Sequence, residues 1–274
     1  MNWQPNQRTE HSYASAIWGV FKEFVHEARE RGISAVQLSG ADFLQAYARQ
    51  AARRMITMLW AGQAKSWQEA ASKAGRGSLI YRARQQELAG PTGERVRELV
   101  AENAKLISSF PSNVAALVAA RAAAQQLGGG RAVELERLEP LLGRLARRRA
   151  KLIARTEVSK ASSALTQARS EELGLPWYVW QTSQDQRVRL SHRRLQGVLF
   201  RFDNPPSPEE LAGIPTKLGA GNAGQFPNCR CYPSPLVSLK EVRWPARVYW
   251  GGRIIYMNLG QFKQINNLQF QEAA

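Results

Sequence analysis

The chain has 274 residues, 44% hydrophobic and 22% charged, enough to bury the core of one large or two ordinary domains. Its 38 basic residues against 22 acidic ones give a formal charge of +16, which favours polyanionic partners and nucleic acid above all. No apolar run reaches the roughly 18 residues of a membrane span, and 2 cysteines are too few for a disulfide framework.

The first two-thirds of the chain is predicted to be helical. Apolar residues recur at helical spacing in "SYASAIWGVFKEFVHEARERG", with Ser12 as the candidate cap and Gly32 as the end, and again in "ADFLQAYARQAARRMITMLWAG". A shorter helix, "LIYRARQQELAG", is expected to stop before Pro91. Two further helices, "TGERVRELVAENAKLISSFPS" and "NVAALVAARAAAQQLGGG", are predicted to be separated by a break at Pro111. Residues 1–130 are therefore assigned to a helical region.

A long basic helix is predicted from Pro140, since proline suits the first helical position, to about Gly174. Basic residues three or four apart form one stripe of it: Arg144, Arg147, Arg148, Lys151 and Arg155. Apolar residues occupy another side: Leu141, Leu142, Leu145, Leu152 and Ile153. Arg149 projects among the leucines, either as a snorkelling side chain or to reach a specific anion.

No acidic residue lies between Pro140 and Thr156, so pairing within the helix cannot neutralise the stripe. A solvated helix face explains such a stripe, and so does contact with double-stranded DNA or with an acidic protein surface. These alternatives stay open at the level of sequence.

Beyond Gly174 the pattern predicts a small α+β module. "PWYVW" and "VLFRF" are typical of strands, and "RVRLSHRRLQG" predicts a short helix that Asp185 caps and Gly197 ends. A Pro- and Gly-rich connection follows; its "GAGNAG" matches a dinucleotide-binding pattern but no helix follows it, so we expect a flexible loop. "ARVYWGGRIIYMN" predicts a β-hairpin turning at Gly251 and Gly252.

Both cysteines lie in "FPNCRCYP", where on an extended segment Cys229 and Cys231 point the same way. With His192 and Asp185 they offer two thiolates, an imidazole and a carboxylate, a set that suits a structural zinc. Buried cysteines that act as small hydrophobes are the alternative, with a redox or catalytic role after that. Asp185, Arg187, Arg189 and His192 also resemble the acid/base and phosphate-binding set of a metal-dependent nuclease or other hydrolase.

Four runs in order, "ENAKLISSFP", "RRAKLIARTEVSKASSA", "GLPWYVWQTSQDQRVRLSHRRLQG" and "FPNCRCYPSPL", resemble the phage Mu F-like head morphogenesis family of minor head proteins over about residues 100–240. The residues that carry the family signature in the central and rear motifs are Arg155, Glu157, Asp185, Arg187, Arg189, His192, Gly197, Cys229 and Cys231.

The resemblance implies a minor capsid protein that acts in head morphogenesis at the portal vertex and is not an enzyme. Its expected partners are the portal protein, the major capsid or scaffold protein and double-stranded DNA, with which some relatives leave the head; no membrane is expected to take part in assembly. Its expected location is the virion interior, after assembly in the host cytoplasm. The resemblance places the Mu F-like module at residues 131–240, followed by the hairpin and tail at 241–274.

Overall fold

The computed structural model describes residues 1–31, 42–74, 90–127 and 135–272. Most of the predicted helix "LIYRARQQELAG", Gly32 and the glycines at 128–130 lie outside the described residues. The α+β class is confirmed, because the described N-terminal half is helical and the C-terminal part carries a five-stranded mixed sheet. None of the described helices combines the length and apolar character that a membrane crossing needs.

Seven helices are present in the described residues: α1 Gln7–Arg31, α2 Asp42–Ala74, α3 Pro91–Leu127, α4 Leu135–Glu172, α5 Leu190–Arg194, α6 Pro208–Leu211 and α7 Leu259–Glu272. The strands are β1 Trp177–Thr182, β2 Leu199–Arg201, β3 Cys231–Pro235, β4 Ala246–Trp250 and β5 Arg253–Met257, with a 3-10 turn at Leu239–Glu241.

The chain forms two compact units. The first comprises Met1–Pro5, Ala61–Arg95 and Ser162–Ala274 and contains the sheet. The second comprises Asn6–Trp60 and Val96–Ala161 and is built from parts of α1 to α4.

Helix α1 begins earlier than the sequence predicts. Asn6 is its cap, because the Asn6 Oδ1 accepts the Arg8 amide at 2.8 Å, while Ser12 lies within the helix. Most of the predicted face is buried, but Tyr47 is 41% exposed. The apolar residues of α1 and α2 that are buried are Tyr13, Ile17, Val20, Phe21, Phe24, Leu44, Ala48, Ala51, Ala52, Met55, Ile56, Leu59, Trp67 and Ala70.

Neither predicted proline boundary is a boundary in the structure. Helix α3 continues through Pro111, and α4 begins at Leu135, five residues before Pro140. An internal proline removes one backbone hydrogen bond and costs about 3 kcal/mol. In helices of 37 and 38 residues the remaining hydrogen bonds and packing outweigh that local cost.

The buried side of α4 is lined by alanine, not by the leucines. Its inward row is Ala146, Ala150, Ala154, Val158, Ala161 and Leu165. Leu152 is 48% exposed, and the side chains of Leu141 and Leu142 are outside the described set. Small side chains four residues apart allow a neighbouring helix to approach closely, whereas the leucines stand beside this row. Arg149 is exposed, so it does not enter the core.

The sheet has strand order β3-β1-β2-β4-β5, and all neighbours are antiparallel except β2 and β4. Alternation along β1 sends Tyr178 and Trp180 to one face and Trp177 to the other, so both faces of the sheet are covered. The predicted hairpin is confirmed, with Gly251 and Gly252 at φ of 57° and 78°. Residues 241–274, separated from the module in the sequence analysis, thus share its sheet.

The "GAGNAG" segment is not a loose loop. Asn222 is buried: its Nδ2 donates to the Phe202 carbonyl at 2.9 Å and its Oδ1 accepts the Tyr178 hydroxyl at 3.0 Å. Gly221 lies so close to the Phe226 ring that a Cβ would come within 3.0 Å of it. Gly221 thus serves close packing, and the side-chain hydrogen bonds of Asn222 replace the regular backbone pairing that this segment lacks.

Candidate functional site

Both cysteines are buried at the beginning of β3. Cys231 opens the strand opposite Thr182 of β1, and the Cys229 amide donates to the Phe226 carbonyl at 3.1 Å. The two cysteines are 5% and 1% exposed. Because they stand two residues apart on extended chain, both sulfurs face the same interior, as the sequence predicts.

Helix α5 brings His192 to this interior. Its Nδ1 lies 3.5 Å from the Sγ of Cys229 and 3.5 Å from the Sγ of Cys231. Trp180 and Phe226 meet the imidazole nearly perpendicularly, with ring centroids 5.5 and 5.0 Å away. The imidazole nitrogen of His192 and the sulfurs of Cys229 and Cys231 all lie within 4.8 Å of one another. Three of the four predicted metal ligands are therefore close together.

Glu209, which the sequence analysis did not single out, stands on the other side of the imidazole. Its Oε1 is 3.3 Å from His192 Nε2, and both residues are buried. Glu209 lies in the first turn of α6, within the irregular connection. An acid in "SPEEL" gives no sequence signal for this contact, because only the folded connection brings it to His192.

Asp185 is not part of the cluster. Its Oδ1 accepts the Arg187 amide at 2.9 Å, and its Oδ2 forms an ion pair with Arg230. It therefore closes the turn before α5, and Arg189 occupies the cap position of that helix without a side-chain cap. Burial acts to raise the pKa of Asp185, but the Arg187 amide and the Arg230 guanidinium outweigh it, so the pKa lies below its ordinary value.

The two thiols are coupled. A hydrogen bond from Cys231 is the largest influence on Cys229 and lowers its pKa, against the opposing effect of burial. The same hydrogen bond and burial raise the pKa of Cys231. The two thiols therefore titrate as one coupled pair.

The residues of the nuclease hypothesis do not form an accessible catalytic set. Both ring nitrogens of His192 face buried groups, and the Asp185 carboxylate is held by Arg230. Arg189 donates to the Pro227 carbonyl at 2.8 Å. A general base must reach its substrate's proton, and His192 at 1% exposure does not.

The signature residues of α4 have structural contacts. Arg155 forms an ion pair with Glu10 at 3.0 Å, and Glu157 pairs with Lys160 at 3.4 Å. Burial, and after it the negative charge of Glu157, raise the pKa of Tyr13. The buried Tyr13 hydroxyl donates to Asn103 Oδ1 at 2.7 Å. The Arg155–Glu10 ion pair joins α1 and α4 within their unit.

The remaining stripe residues are exposed. In the described parts of the chain, no carboxylate pairs with Arg144, Arg148 or Lys151. Arg147 stacks over Trp18, with its guanidinium carbon 4.6 Å from the ring centroid. Among the described residues, the stripe therefore has three cations without a carboxylate partner and one cation stacked on Trp18, while Glu10 pairs with the fifth member, Arg155.

The sequence was compared with protein families, curated proteins and solved structures. Residues 112–233 match the family model described as "Phage Mu protein F like protein". An uncharacterized protein of Haemophilus influenzae strain Rd is 34% identical over 148 residues. That alignment covers 54% of this chain and 31% of the relative, so it spans less than a third of that protein's length. No solved structure matches the chain.

Proposed function

We propose, from the match of residues 112–233 to the family model described as "Phage Mu protein F like protein", that the chain belongs to the phage Mu F-like family and is a minor head protein acting at the portal vertex. Association with the virion follows from the family. The portal protein is the proposed main partner, with the major capsid or scaffold protein as further ones. The family match is the observation that carries this proposal.

Contact with double-stranded DNA is the second part of the proposal. Arg144, Arg148 and Lys151 are exposed on α4 without carboxylate partners in the described residues. They span seven residues, about 10 Å of helix axis, along which duplex DNA presents about six phosphate charges. The stripe therefore fits the spacing of a phosphate backbone, and the contacts would be independent of base sequence.

Co-purification tests the assembly role. Expressed together, tagged chain and portal protein are expected to elute as one complex that also enters procapsids. An untagged chain with an unrelated ring protein of similar charge is the control, because a basic protein binds acidic surfaces without specificity. Absence of the chain from heads at every stage of assembly would refute the proposal.

Ejection with the genome is tested on particles. If the chain leaves with the DNA, particles emptied in vitro lose it while retaining the portal protein. Retention of the chain in emptied particles would contradict ejection and leave the assembly role in place.

A further inference from the structure

The cluster of His192, Cys229 and Cys231 has fewer hydrogen-bond acceptors than its thiols need. An imidazole whose Nε2 carries the proton facing Glu209 has a single lone pair, on Nδ1. Two sulfurs approach that lone pair at 3.5 Å each. If the S–H of one cysteine donates to Nδ1, the other thiol has no acceptor on the imidazole. One cation bound by both sulfurs and by Nδ1 satisfies all three groups at once.

The distances fit such an ion. Zinc bonds to sulfur at about 2.3 Å and to imidazole nitrogen at about 2.0–2.1 Å with tetrahedral angles, which gives an S···N separation of about 3.6 Å. Both observed S···N separations are 3.5 Å. The two sulfur–nitrogen separations therefore match two edges of a zinc-centred tetrahedron.

Glu209 matches the expected support of a metal-bound histidine. The nitrogen that does not bind the metal commonly faces a carboxylate, which fixes the ring and its tautomer. Glu209 Oε1 lies 3.3 Å from Nε2, and Nε2 has no hydrogen-bond partner among the described groups. The Trp180 and Phe226 rings restrict the imidazole further.

We propose that Cys229, Cys231 and His192 through Nδ1 bind one zinc ion, with Glu209 as the residue that positions the imidazole and Asp185 outside the ligand set. Two thiolates and an imidazole favour zinc over the hard cations magnesium and calcium. All three ligands are at least nine-tenths buried, which is typical of a structural site. No fourth His, Cys, Asp or Glu in the described residues joins them.

The ion would connect α5 to the segment before β3, positions 37 and 39 residues apart in sequence. These residues enclose the irregular connection, which has little regular hydrogen bonding of its own. A metal that binds the folded chain and not the unfolded one stabilises the fold in proportion to its affinity.

The test is zinc content of the full chain purified under reducing conditions, measured by elemental mass spectrometry. One zinc per chain is expected for the wild type and for the control Asp185→Asn. Cys229→Ser, Cys231→Ser and His192→Ala are expected to fall below one-tenth of that content. Glu209→Gln is expected to retain the ion with about 10- to 100-fold weaker affinity.

Cobalt titration of the chelator-treated wild type provides a readout independent of the variants' folding. Thiolate-to-cobalt charge-transfer absorption that saturates at one equivalent, and a melting temperature restored by the added metal, are expected. The proposal is overturned if the reduced wild type binds neither ion stoichiometrically. It is equally overturned if Asp185→Asn loses zinc as the cysteine variants do.

Discussion

Removal of the free cations of α4 should change how DNA binding depends on salt. In the triple variant Arg144→Gln, Arg148→Gln, Lys151→Gln, three phosphate contacts are lost. Each contact contributes about 0.9 to the slope of log affinity against log salt, so the slope should fall by about 2.7. Between 50 and 200 mM salt, the wild type should then lose about 40-fold more affinity than the variant. Fluorescence anisotropy of a labelled duplex measures both.

Arg155→Gln is the matched control, because it removes the same kind of charge from the same helix at a position already neutralised by Glu10. It should leave the salt slope unchanged and cost about 0.2–1 kcal/mol of folding stability. Circular dichroism checks that α4 is intact in every variant. The reasoning fails if the triple variant keeps the wild-type slope, or if Arg155→Gln lowers the slope as much.

Three further outcomes follow from the fold. Gly197 has φ of +77°, so Gly197→Ala should destabilise the chain by about 1–2 kcal/mol, whereas Gly62→Ala in a helix with free space should stabilise it by about 0.5–1 kcal/mol; denaturant unfolding tests the opposite signs. Ala154→Leu should overpack the core and cost about 1–3 kcal/mol, but Leu152→Gln, at an exposed site, under about 0.5; equal costs would contradict the alanine row. The Arg201 guanidinium lowers the pKa of Asp203 in the folded chain. The Asp203 carboxylate therefore stabilises the fold above the pKa it has in the unfolded chain, and this contribution is lost as the pH falls through its pKa in the folded chain. Because its side chain is 61% exposed, wild type and Asp203→Asn should differ by at most a few tenths of a kcal/mol at pH 6 and converge by pH 2; a constant difference would refute this.

The small module could be predicted well from sequence because its signals are local. A glycine pair between two β-like runs specifies a hairpin, and Gly197 ends its helical segment at a positive φ. Alternating large apolar residues define β1. In each case the determining interaction lies within a few residues, which periodicity and turn chemistry can detect.

The long helices were less predictable because their boundaries depend on distant packing. Pro111 and Pro140 are local signals for a break, yet the cost of each proline is small beside the hydrogen bonds and contacts of a long helix. The packing of α4 also depends on distant contacts. Its buried row is mostly alanine, and the hydrophobic pattern does not single out these small side chains.

The sequence identifies the three clustered donors of the candidate metal site but not the carboxylate beside them. Residue type alone selects His192 and both cysteines, since soft donors are rare in this chain. Asp185 was selected for its sequence proximity to His192, but the nearby Arg230 holds its carboxylate. Glu209 could not be found, because its contact depends on the course of an irregular connection that carries no periodicity.

Strand β3 is an edge strand of the sheet and contains Pro233 and Pro235. Prolines at alternate positions present no amide hydrogen, so an incoming strand would leave its own carbonyls unmatched there. Strand addition by another copy of this chain is therefore disfavoured along the edge that bears Cys231.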